Sequence, residues 1–331
     1  YEFLGWYLSD GITEVKNGDV IDLSVLYVSI YFAGLPMAML YNFGSAILRA
    51  AGDTGRPLIF LTISGIVNVL LNLFLVKQCG LSVDGVAIAT VTSQALSAIL
   101  VLCCLMRDEA DYKVELKKLS IDKRMLLQII RIGLPASVQS MLFSVSNILI
   151  QSSINFFGSI AMAGNTACMS IEGFVYVAMN SIYQTNLSFS SQNYGAGKYD
   201  RMKKVTIDCI LIVSVVGLIL GNLAYLFGRP LISLYIKDVS AIEYGVERMS
   251  IICTTYFVCG IMDTLVGSLR AVGCSIIPMI VSLIGVCGLR ILWIFTYFQK
   301  HHELKVLYMS YPITWVITIL AHLIVLFIVW L

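Results

Sequence analysis

From about residue 21 onward, apolar runs of about twenty residues follow one another with only short polar breaks. A helix of that length covers roughly 30 Å, the thickness of a bilayer's hydrocarbon core. Backbone in lipid must satisfy its own N–H and C=O groups, so each run is read as a spanning helix. Nine spans are predicted, at about 21–48, 57–76, 85–106, 126–157, 160–188, 205–227, 244–269, 278–298 and 306–331. Charge content agrees: 13% of residues are charged, against about a quarter in ordinary soluble domains. The chain is an all-α, polytopic membrane protein.

Sorting Lys and Arg by alternate loops gives an orientation. One set of loops holds thirteen, among them Arg49, Arg56, Arg107, Lys203 and Arg270. The other holds seven (Lys16, Lys77, Arg229, Lys237, Arg248, Lys300 and Lys305), and Arg131 and Arg290 fall inside spans. The richer set is assigned to the cytoplasm. The stretch 107–124, RDEADYKVELKKLSIDKR, mixes both signs and reads as an amphipathic, solvated linker helix between two lobes.

The nine cysteines are scattered without a CxxC pair and fall mostly inside apolar runs, so they are expected to be reduced. GxGxxG, Walker A, HExxH and the GxGD setting of intramembrane aspartyl proteases are absent, so no enzyme and no nucleic-acid partner is expected. His301 and His302 fall in an outer loop and His322 in an apolar span, where a packing role is expected. Pro36, Pro135 and Pro312 fall in or near spans and are candidate kinks.

One segment is echoed. Leu48-Arg49-Ala50-Ala51-Gly52, followed by Pro57, recurs as Leu269-Arg270-Ala271-Val272-Gly273, followed by Pro278. Each reads as a helical hairpin: Arg in the last turn, favoured by the dipole and the anionic leaflet, Gly as the stop, and Pro at the first position of the next helix. The offset is 221 residues, the difference between 49 and 270. It predicts a duplication and about three further spans before Tyr1, twelve in all in two six-helix lobes. The expected organisation is an extracytoplasmic loop at 1–20, the last three helices of the first lobe at 21–106, the linker at 107–124 and a complete second lobe at 125–331.

Ionisable groups at membrane depth are costly and mark candidate sites. Glu172 and Asp263 are the deep acids, with Arg290 as the cation at comparable depth and charge partner of Glu172. Glu172, Tyr176, Asn180 and Gln184 share one helix stripe at i+4 spacing. Asn147, Gln151 and Asn155 form a second stripe on the preceding span. These side chains either line a polar cavity, with Glu172 and Asp263 as ion-coupling acids, or glue helices together. Asn68 and Asn72 repeat that choice in the first half, with packing favoured.

The segments YNFGSAILRAAGDTGRPL, GLPASVQSMLFSVSNILIQSSINFFG, NTACMSIEGFVYVAMNSIYQ, SQNYGAGKYDR and YMSYPITW resemble the bacterial branches of the multidrug and toxic compound extrusion (MATE) family. SQNYGAGKYDR itself reads as a structural helix exit. The resemblance implies a two-lobe antiporter of the bacterial cytoplasmic membrane, monomeric and without cofactor. It would export organic, often cationic, amphiphiles in exchange for Na⁺ or H⁺ by rocking of its lobes. In some branches an acid on the seventh of twelve spans joins one on the tenth. Here 126–157 has no acid and Phe143 stands near that place, so that sodium site does not transfer. Another branch assigns coupling to an Asp in the first span, which this chain does not contain. A flippase for lipid-linked precursors shares the plan, but it calls for a cavity rich in Arg or Lys.

Overall fold

A computed structural model describes residues 17–108 and 112–330; most of the expected loop at 1–20 lies outside them. The helices among the described residues are α1 (Asn17–Ala50), α2 (Gly55–Lys77), α3 (Val83–Arg107), α4 (Lys123–Asn155), α5 (Ser159–Gly195) and α6 (Tyr199–Leu226). They continue with the short α7 (Gly228–Ser233), α8 (Val239–Ala271), α9 (Ile276–Phe298) and α10 (Leu304–Trp330). Eight of them are long and apolar enough to cross a membrane. The remaining long helix, α5, corresponds to the expected span 160–188 and has 37 residues. Its length suffices; its apolarity is lowered by residues such as Asn165, Glu172, Asn186 and Asn193.

The hairpin echo is borne out at atomic detail. The offset of 221 carries Ala50 onto Ala271, Gly55 onto Ile276 and Val83 onto Leu304, which are the observed helix ends. Gly52 and Gly273 both take positive φ, 90° and 81°, where a Cβ would be strained. Asp53 N–H donates to Leu48 O and Cys274 N–H to Leu269 O, the same wide C-terminal closure in both turns. One detail differs from expectation: Pro57 and Pro278 are each the third residue of their helix. That costs nothing, because none of the first N–H groups of a helix has an intrahelical acceptor.

Contacts divide the chain into two units, residues 1–120 and 121–331. In the first, α3 packs on both α1 and α2. Asn68 on α2 donates to Ser93 Oγ on α3 at 3.2 Å, and Asn72 donates to Asn68 Oδ1 at 3.1 Å, so this pair packs helices. Asp53 Oδ1 accepts the N–H groups of Gly55 and Arg56, both at 3.1 Å, capping α2. Arg56 pairs with Asp53 and reaches Asp108 at 2.7 Å. The linker is not the expected helix; its described residues hold a single 3₁₀ turn, Leu116–Lys118. Instead Tyr112 and Val114 fold back onto the cluster of Leu48, Val101 and Leu105.

The second unit is organised around α8, which packs on α5, α6 and α10. Helices in lipid gain little from burying apolar surface, so close packing and polar contacts must hold them together. Both are present. A Cβ on Gly164 would lie 2.1 Å from Ala241 O, and one on Gly221 would lie 2.1 Å from Cys253 O, so backbones nearly touch at these glycines. Buried Asn186 of α5 donates to Thr264 O and Ser268 Oγ of α8, each at 2.8 Å, and Ser268 meets Thr206 of α6 at 3.0 Å. Large apolar side chains such as Phe174, Leu226, Phe295 and Phe327 stay exposed, as a surface facing acyl chains requires. Helix α9 departs from regularity: π-helical segments at Leu283–Gly288 and Ile294–Phe298 flank the turn that carries Arg290. Such segments re-aim side chains and occur often at functional sites.

Candidate functional site

A cavity of about 380 Å³ opens among α4, α5, α8, α9 and α10 of the second unit. Five of the expected site residues line it: Asn147, Glu172, Tyr176, Asp263 and Arg290. Phe143, at the place where a seventh-span acid was sought, also lines it. The others do not. Gln151 turns to a different partner, accepting the Asn165 amide at 2.8 Å. Gln184 and Asn155 are exposed, Asn180 is partly so, and none of the three belongs to the cavity wall. Asn68 and Asn72 belong to the other unit.

The partner of Glu172 is Arg248, which corrects the assignment to Arg290. Arg248 Nε meets Oε1 and Nη2 meets Oε2, both at 2.8 Å, the planar two-bond fit of guanidinium to carboxylate. Its third edge donates from Nη1 to Asn165 Oδ1 at 2.7 Å. Cys168 Sγ adds a donor to Glu172 Oε1 at 3.2 Å. Arg248 was counted with the outer loops, yet it is the tenth residue of α8 and is only 3% exposed. Its faces lie against Tyr308 and Tyr311, with centroids 5.4 and 5.5 Å from Cζ. The burial cost of two charges is offset within this network, leaving a wall that is neutral overall.

Two charges in the cavity are not matched in this way. Arg290 is 4% exposed, yet its contacts are a hydrogen bond from Nε to Thr314 Oγ1 at 3.2 Å and the faces of Tyr311 (4.1 Å) and Trp315 (5.9 Å). No ion pair among the described residues reaches Asp263 or Arg290. Aromatic rings fill the space around them: Tyr176, Tyr256, Trp315 and Tyr311 form a chain with successive centroids 6.5, 5.7 and 5.8 Å apart. This wall offers a carboxylate to a small cation, π faces to an organic cation and apolar surface to its hydrocarbon part.

Arg270 was expected to anchor at the membrane surface. It turns inward instead, donating to Tyr183 Oη and Gln139 Oε1, both at 2.8 Å, and so ties α8 to α5 and α4. His322 packs as expected, within 3.1 Å of Ser282 Oγ.

A family model described as MatE matches residues 4–74 and 135–296. Among curated proteins, the probable multidrug resistance protein YoeA of Bacillus subtilis is 27% identical over 312 residues, covering 91% of this chain and 67% of its own. The multidrug export protein MepA of Staphylococcus aureus is 22% identical over 267 residues, covering 80% of this chain and 59% of its own. This chain thus spans about three-fifths to two-thirds of those relatives' length. Among solved structures, an outward-facing multidrug resistance MATE family transporter superimposes with a TM-score of 0.86 at 17% identity, over 97% of this chain and 72% of that one. A MATE crystal structure in complex with MaL6 gives 0.87 at 16% identity, over 99% and 73%. Apolar helices of spanning length and bacterial relatives together make this a multi-pass protein of the bacterial inner membrane. The matched regions cover well over half of the chain, and it belongs to the MatE family.

Proposed function

We propose that the protein is a cation-coupled exporter of organic, often cationic, amphiphiles, and that Asp263 is the group that exchanges Na⁺ or H⁺ for substrate. The observation that carries this is the Asp263 carboxylate on the wall of an aromatic-lined cavity, without an ion pair among the described residues. Both oxygens of Glu172 are engaged by the Arg248 guanidinium, so Glu172 is assigned to holding Arg248 and the cavity wall. Asp263 has no such partner and is free to bind a cation, be neutralised by it and release it. The multidrug naming of the curated relatives supports the substrate class. Arg290 keeps the cavity's balance of charge by standing opposite in sign to Asp263.

The test is export of a cationic dye from energised membrane vesicles containing the full-length protein. Asp263→Asn is expected to lower gradient-driven export at least about tenfold, in line with the loss of a required charge-changing group. Glu172→Gln is expected to lower the amount of folded protein more than the rate per folded molecule. Undiminished export by Asp263→Asn would refute the assignment.

A further inference from the structure

We propose a second site, apart from the cavity: a phosphate-binding cleft where the α5–α6 turn, the α8–α9 turn and the end of α10 converge. A cavity of about 460 Å³ opens there. Its polar lining consists of Tyr194, Tyr199, Lys203 and Trp330. These side chains present an ammonium, an indole N–H and two phenol hydroxyls, and among the described residues no carboxylate lines the cleft.

Two independent observations point to an anionic ligand. Trp330 Nε1–H is buried and has no hydrogen-bond partner among the described residues, a cost that folding ordinarily avoids. Lys203 Nζ is held 5.8 Å from the centre of the same indole ring, and no ion pair of Lys203 is found among the described residues. The adjoining stretch 198–204, the start of α6, also carries Lys198, Arg201 and Lys204 against the single acid Asp200. The remaining lining is Met202, Val272, Val329 and the thiol Cys274. A lining that combines these donors with hydrocarbon fits a phosphate carried on a lipid, and basic clefts between membrane helices recognise such head groups. The segment SQNYGAGKYDR, first read as a structural helix exit, supplies two of the four polar groups, Tyr194 and Tyr199, and Lys203 follows just beyond it.

The experiment is native mass spectrometry of the full-length protein in micelles, titrated with phosphatidylglycerol or phosphatidylcholine, with and without millimolar inorganic phosphate. The parent is expected to retain phosphatidylglycerol in preference to phosphatidylcholine. Lys203→Gln should weaken retention about fivefold, the worth of one basic residue at an anionic surface. Trp330→Phe should weaken it about threefold through loss of one donor, and Lys203→Arg should keep it. Arg229→Gln, a basic residue exposed elsewhere and paired with Glu243, serves as the folded control without effect. Displacement of the lipid by inorganic phosphate would support the phosphate site and make its ligand a soluble phosphate; persistence would assign it to the lipid. Equal retention of both lipids, or retention unchanged in both Lys203→Gln and Trp330→Phe, would overturn the proposal.

Discussion

Arg248 meets Glu172 edge to edge, with both nitrogen–oxygen distances at 2.8 Å and both side chains nearly inaccessible. Removing one member strands the other. Arg248→Met is therefore expected to destabilise the folded protein by about 3–5 kcal/mol, and Glu172→Gln by a smaller amount, since the amide keeps part of the contact. The double variant Glu172→Leu/Arg248→Met should recover most of the loss, because no unpaired charge remains. Denaturation of the purified proteins in detergent measures the order; a double variant weaker than both singles would contradict it.

Gly221 and Gly164 let α8 approach its neighbours at backbone contact. Gly221→Ala drives a methyl into Cys253 O and should cost about 1–3 kcal/mol. Gly173→Ala, where nothing lies within 4 Å, should leave stability unchanged or raised through helix propensity. Melting temperatures of the two variants in the same detergent decide it.

The turn at Asp53 carries a pH dependence. The hydrogen bond from the Arg56 side chain, with the Arg56 and Gly55 backbone N–H groups, holds the Asp53 carboxyl below the usual carboxylate range. A group with a lowered folded-state pKa contributes stability that is full above its unfolded value, about 3.9, and is lost as pH falls through the folded value. The melting temperature of the parent should exceed that of Asp53→Asn by a constant small gap at neutral pH. That gap should close as pH falls below about 4; a gap that widens on acidification would contradict the assignment.

Much of this was legible in the sequence, because membrane helices announce themselves by length and apolarity, and duplicated hairpins by their stop and restart residues. Gly52 and Gly273 had to be left-handed, and the 221-residue offset then placed three helix ends. Glu172, Asp263, Tyr176, Asn147 and Arg290 were found because polar groups at depth are rare. What stayed hidden depended on rotation about helix axes. Gln184 and Asn155 share stripes with cavity residues, but several turns along an axis carry them past the cavity's end. Arg248 was grouped with the outer loop, where a cation reaches water, but it is the tenth residue of α8. Its burial rests on Glu172 and Asn165, some eighty residues earlier, and on Tyr308 and Tyr311, some sixty later, which no local pattern connects. Its one sequence signal was a basic residue in phase with the inward face of α8, alongside Ala241 and Gly245.

The most direct test of the account is equilibrium binding of a cationic dye to the full-length purified protein as Na⁺ or proton concentration is raised. Ion and substrate are expected to compete for Asp263 in the parent, so that a tenfold rise in the coupling ion weakens dye binding by up to about tenfold, the limit for one shared site. In Asp263→Asn that dependence should vanish while the aromatic wall still binds dye. An ion dependence that persists undiminished in Asp263→Asn would contradict the account.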